Sequence, residues 1–184
     1  MKVQLFTSSA DGQSLTRYAA HVHALNHQWW HDAEGNRLVR SHSQLLALVM
    51  SELGEALEAD RKNLMDDHLP QYPGVVVELA DTVIRLLDYA GALSLTLAEP
   101  RVFPPVDVSE GLWRLMCAVA KLEAVAISDL GYHIGDTISR AETLAVEAYP
   151  SYAFWEVVYD KLCYNQQRAD HKHEARAQPG GKKY

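Results

Sequence analysis

The residues VVVELADTVIRLLDYA, positions 75–90, leave this chain few ways to fold. The segment is apolar almost throughout, and its charged residues, Glu78, Asp81, Arg85 and Asp88, step by +3, +4 and +3. Residues three and four apart lie above one another on a helix, so the four charges form a single stripe. The rest of such a helix has to be buried, which puts it at the centre of a domain rather than on its surface.

The flanking sequence supplies further helices. Residues 14–27 carry Leu15, Tyr18, Ala19, Val22 and Leu25 at helical spacing, with Ser14 as an N-cap candidate. A second helix is expected from Ser41 or Ser43 to about Asn63, with Leu45, Leu46, Val49, Leu53, Ala56 and Leu57 on its apolar face. The central helix is expected to end at Ala90, with Gly91 as its C′ residue. Further helices are expected over 109–128, 136–148 and from Ser151 into the 160s. The stretches around Gly35, over 64–74 and over 99–107 are rich in Pro, Gly or polar residues and read as connections. The expected fold is all-α, an antiparallel helical bundle, with one domain over 1–175 and a flexible basic tail over 176–184.

Composition excludes several classes. At 184 residues and 48% hydrophobic content the chain can bury a full core, and disorder is not expected. No apolar run reaches the ~18 residues of a membrane span, and no basic-then-apolar leader opens the sequence. Cys117 and Cys163 are too few for a disulfide framework or a four-thiolate zinc site, so a reducing cytoplasm is the expected compartment. Residues 161–184 hold six bases and two acids, a net +4, which leaves −11 on residues 1–160 of the chain's total of −7. An acidic body of this kind is not expected to bind nucleic acid or a membrane.

Chemistry is concentrated in two helices. Glu52 and Glu55 lie one turn apart on the second, and Glu78 and Asp81 one turn apart on the third. Arg85 can balance Asp81 or Asp88 but not every acid, and no Lys or Arg occurs between Ser43 and Asp60. If the pairs face each other, each like-charge contact at ~5 Å costs roughly 3 kcal/mol at an effective dielectric of ~20. A bound divalent cation relieves that repulsion. Four hard oxygen ligands suit Mg²⁺, with Mn²⁺ able to substitute, rather than zinc or copper. Glu58 and Asp60 fit an ordinary solvent-facing stripe.

Two other metal architectures fit less well. A di-iron carboxylate bundle needs Glu-x-x-His on two helices, and no Glu here is followed three residues later by His. A His–Asp phosphohydrolase centre would have to use His31-Asp32, which falls in an expected loop.

Glu52-x-x-Glu55, a gap of 22 residues, and Glu78-x-x-Asp81 resemble the signature of MazG-like all-α nucleoside triphosphate pyrophosphohydrolases. The settings VMSELGEALEADRKN and VVVELADTVIRLLDYAG are similar too, as are the upstream ALNHQWWHD and the downstream Lys161-x-x-x-Asn165-x-x-Arg168 with its Gly-Gly-Lys-Lys end. The resemblance covers about 20–92 and 155–184, and 100–150 carries no motif of it. It implies cleavage of a (d)NTP to the monophosphate and pyrophosphate by a metal-activated water. Glu52, Glu55, Glu78 and Asp81 would hold Mg²⁺, and one Glu, with Glu55 the choice, would orient the water. It also implies a homodimer or a dimer of dimers. Many members place a further Glu just before the first motif; Ser51 stands there in this chain, so the number of ions stays open.

Substrate contacts can be sketched on physical grounds. Lys161, Asn165 and Arg168 share a helix face and suit phosphate oxygens, whereas Arg61 and Lys62 suit a helix C-terminus. Arg85 reads equally as a phosphate contact or as a counter-charge. Asn26 and Trp30 are the expected base contacts, with one of the adjacent Trp29 and Trp30 packed in the core. His21 and His23 are expected at the surface, and Trp113 and Trp155 in the core. A purine nucleotide such as dGTP, or else dUTP or dCTP, is the substrate to test. The competing functional class is a non-catalytic helical protein whose acids form a metal site or line an oligomer interface.

Overall fold

In the computed structural model, which describes residues 12–98 and 100–181, helix α4 (Gly74–Ala92) packs against four others. These are α1 (Gly12–Leu25), α3 (His42–Lys62), α6 (Ile127–Ala148) and α7 (Phe154–Gln167). Helix α5 (Val108–Leu122) joins α3 to α6 on the far side. Among the described residues three short pieces complete the helices: α2 (His27–Trp30), a 3₁₀ turn (Ala169–His171) and α8 (His173–Arg176). The fold is all-α; among the described residues β pairing is limited to the isolated bridges His31–Arg37 and Met65–Pro73. No helix among them is long and apolar enough to cross a membrane.

The central placement of α4 follows from its sequence. Between Val75 and Ala90 every residue is buried except Glu78, Asp81, Arg85 and Asp88. Each fully buried Val or Leu contributes about 1.5–3 kcal/mol, so the energy of the core is concentrated on this helix. Its neighbours answer with Leu15, Val22, Val49, Leu53, Ile134, Val157 and Val158, all buried.

Local chemistry sets the ends. Ser41 caps α3 through a reciprocal box with Gln44, and Asn63 ends it in a left-handed conformation at φ 50°. Gly91 is not a cap, because α4 continues to Ala92. Its missing Cβ lets α1 approach: a methyl at 91 would lie 2.3 Å from the Ala19 carbonyl oxygen and 2.6 Å from the His23 Cβ. Ser14 is likewise not a cap, since α1 starts at Gly12.

The expected boundary between the fourth and fifth helices is also revised. Helix α5 stops at Leu122 and α6 already begins at Ile127. Gly131 weakens local helix propensity but sits where a Cβ would meet the Thr96 carbonyl oxygen at 2.2 Å, so close packing overrides propensity there. The last long helix begins at Phe154, three residues later than expected. Trp155 is buried as expected, with its indole N–H donating to Glu142 Oε1 at 2.7 Å. Trp113 is 65% exposed instead of buried, because the core-facing side of α5 is occupied by Leu112, Leu115 and Val119. Of the expected tail, Arg176 belongs to α8, while Lys182 and Lys183 lie outside the described residues.

Candidate metal centre and substrate cavity

The charged stripe of α4 faces α3, α7 and α2 across a cavity of about 660 Å³. All nine residues singled out from the sequence line it: Asn26, Trp30, Glu52, Glu55, Glu78, Asp81, Lys161, Asn165 and Arg168.

At one end, α3 and α4 bring three carboxylates together. Ligand oxygens of Glu52, Glu55 and Glu78 lie within 4.8 Å of one another. Glu52 is buried, Glu55 is exposed to the cavity, and the buried Oε2 of Glu78 has no hydrogen-bond partner. A buried unpaired carboxylate oxygen is costly and needs a ligand or a proton. Burial first, and then the charges of Asp81, Glu52 and Glu55, push the Glu78 carboxyl up to about 9, with Lys161 pulling the other way. The donor set and the orphaned oxygen both fit a hard divalent cation.

Asp81 stands beside this triad but is held by α7. Asn165 Nδ2 donates to its Oδ1 at 2.8 Å, and Lys161 Nζ lies 3.3 Å from its Oδ2. Lys161 is almost fully buried and also lies 3.8 Å from Asp66 Oδ2. Burial opposes its charge, but Asp81, Glu78 and Asp66 outweigh burial and hold the ammonium above its ordinary value. Asp66 is fixed in the 64–74 connection by the backbone N–H groups of His68 and Leu69, which donate to its Oδ1. The sequence singled out neither Asp66 nor its role as a counter-ion for Lys161.

Arg85 pairs with neither Asp81 nor Asp88. Its Nε donates to Glu52 Oε1 at 2.5 Å, across from α4 to α3. The two alternatives are already engaged, Asp81 by α7 and Asp88 by the N-terminal helices. Arg168 makes a two-point contact with Asp170, through Nε at 3.0 Å and Nη2 at 2.8 Å. Arg61 and Lys62 do not line the cavity; both pair with Glu58, which does line it rather than belonging to a purely solvent-facing stripe.

The other end of the stripe is a polar hub around Asp88. Its Oδ1 accepts from Trp30 Nε1 at 2.9 Å and from His23 Nδ1 at 2.8 Å, and its Oδ2 from Asn26 Nδ2 at 3.1 Å. Gln166 Nε2 donates in turn to Asn26 Oδ1 at 3.2 Å. His23 is therefore half-buried and bonded rather than a surface residue. Trp30 is the buried member of the tryptophan pair, its N–H taken up by Asp88. Trp29 lines the cavity with its ring less enclosed, packed against the edge of His171 and under the Arg176 guanidinium, 4.2 Å from the ring centre. Arg176 Nη1 also donates to the Gln28 carbonyl at 2.7 Å, tying α8 to α2. The clue to the Asp88 hub was present in the +3, +4, +3 stripe; nothing local in sequence pairs His23 with a residue 65 positions away. His31-Asp32 makes no such centre, since Asp32 instead accepts from Asn36 and Glu34 in an exposed turn.

Comparisons of the chain with protein-family models, with curated proteins and with solved structures return no match.

Proposed function

We propose that the protein is a Mg²⁺-dependent nucleoside triphosphate pyrophosphohydrolase of the MazG-like helical-bundle type, releasing a nucleoside monophosphate and pyrophosphate. The observation that carries this reading is the facing set Glu52, Glu55 and Glu78, with one buried Glu78 oxygen unpartnered, opening into a cavity of nucleotide size. Glu52, Glu55 and Glu78 would hold the cation, with Asp81 next to them. When bound, Mg²⁺ supplies charge neutralisation for the phosphate chain and lowers the pKa of a coordinated water.

The chain's own residues account for the rest. Glu55 is the exposed acid of the triad and accepts a proton from the attacking water. Lys161 and Asn165, expected to reach phosphate oxygens, instead fix Asp81 in place from α7. Trp29, Trp30 and Asn26 line the same cavity, with Trp30 and Asn26 bonded to Asp88 at the far end of the stripe, and bound the space for the nucleoside, while Arg168 lines it within reach of the charge of Asp81. From Glu78 to Asp88 the stripe runs about 15 Å along α4 at 1.5 Å per residue, long enough to lay a nucleotide from its phosphates to its base.

Incubation with Mg²⁺ and a panel including dGTP, dUTP and dCTP, with monophosphate and pyrophosphate as the readout, tests the proposal. Turnover lost in Glu55→Gln and Asp81→Asn with the fold retained supports it. Turnover unchanged in both variants removes the site, and no product from any nucleotide removes the function.

A further inference from the structure

Four Lys or Arg side chains line the cavity: Arg40, Arg85, Lys161 and Arg168. Three of them have their charged ends committed to the protein. Arg40 donates through Nε and Nη2 to the Trp29 carbonyl, Lys161 lies between Asp81 and Asp66, and Arg168 is clasped by Asp170. Arg85 differs. It uses Nε alone, on Glu52 Oε1, and among the described residues neither its Nη1 nor its Nη2 has a partner. Its side chain is 38% exposed, and it sits on the buried carboxylate of the acidic triad.

We propose that Arg85 is a phosphate-binding residue, its Nε anchored on Glu52 and its two Nη groups donating to non-bridging oxygens of a polyphosphate chain seated at the triad. The inference rests on the proposed function and adds to it the group that grips the phosphates from the protein side. A guanidinium can do both jobs at once because its donors lie in one rigid plane, one edge facing the carboxylate and the terminal nitrogens facing away. An ammonium cannot span both. The anchor also fixes where the free nitrogens point, which lowers the entropy lost on binding.

Inorganic tripolyphosphate, which has no base or sugar, isolates this contact. Mn²⁺ binding is measured alone by electron paramagnetic resonance, and tripolyphosphate binding by calorimetry in the presence of Mg²⁺, for the wild type, Arg85→Gln and Arg85→Lys. The expected result is Mn²⁺ affinity kept in both variants, with tripolyphosphate binding down about tenfold or more in Arg85→Gln and recovered only in part by Arg85→Lys. Tripolyphosphate binding unchanged in Arg85→Gln overturns the proposal. So does a parallel loss of Mn²⁺ and tripolyphosphate, because Arg85 would then serve only to hold Glu52. If the wild type itself binds no Mn²⁺, the metal-centre reading fails along with this one, and that outcome is visible before any variant is made.

Discussion

The two ends of the α4 stripe treat buried acid in opposite ways. At Asp88 every oxygen is used: Trp30, His23 and Asn26 all donate to it, and burial raises its carboxyl against their pull. At Glu78 two further acids crowd in, one oxygen has no partner, and the nearby Lys161 is shared with Asp81 and Asp66. A satisfied carboxylate holds three elements in register. An unsatisfied one stores a cost that a cation removes. The same residue class on the same helix face thus ties neighbouring helices together at one end and leaves an unpartnered oxygen facing other acids at the other.

Neutral isosteres break the comparison most sharply. Glu55→Gln is expected to lower kcat by about 10²–10⁴-fold, the range for removing a proton acceptor, with little change in melting temperature. Glu78→Gln should abolish Mn²⁺ binding by calorimetry yet raise the melting temperature of the metal-free protein at neutral pH, because a neutral amide spares the fold the cost of protonating a buried acid. Asp88→Asn should do the reverse. It leaves donors facing an amide and costs about 1.5–3 kcal/mol by denaturant unfolding, with Mn²⁺ affinity kept. A loss of stability in Glu78→Gln and none in Asp88→Asn would invert the assignment.

Metal addition is the next effect. At a Mg²⁺ or Mn²⁺ concentration about 100 times its Kd the fold gains about 2.7 kcal/mol, and a chain of this size should melt roughly 5–10 °C higher. The pH dependence sharpens this. Glu78 holds its proton up to about 9 when folded, against 4.5 as the ordinary value, so the unfolded chain ionises first. This residue's contribution to the stability of the metal-free protein should therefore be fully present below about pH 4.5 and be lost as pH rises towards 9. The metal-induced rise in melting temperature should be larger at pH 8.5 than at pH 6, with protons released on binding, which calorimetry in buffers of different ionisation enthalpy detects (roughly one proton or less per site). The smallest effect belongs to Glu58→Gln. Glu58 also lines the cavity, but it is half-exposed, stands outside the triad and pairs with Lys62 and Arg61, so neither melting temperature nor Mn²⁺ affinity should move measurably.

How much of this was legible depended on range. The stripe, the buried faces of α3 and α4 and the two acidic pairs are i, i+3 and i, i+4 relations, and these survive in sequence as periodicity. Asp66 and His23 act across 95 and 65 positions, on Lys161 and Asp88, and no local pattern records such pairings. The partner of Arg85 is hidden for the same reason: its neighbours on α4 are visible in sequence, while Glu52 on another helix competes for it only once the fold exists. Trp113 was misjudged because apolar spacing does not say which of two hydrophobic stripes a helix turns inward. The start of α6 was hidden because Gly131 looks unfavourable for a helix until the irregular 95–98 segment packed against it is in place.

The absent methyl at position 91 reaches further than its helix. The same space that admits the Ala19 carbonyl lies against the His23 Cβ, and His23 is one of the donors that fix Asp88. Adding one carbon there would wedge α1 outward and slacken the far wall of the cavity without touching any residue that lines the acidic end. Gly91 is thus a spacer whose thickness sets the bore of the pocket.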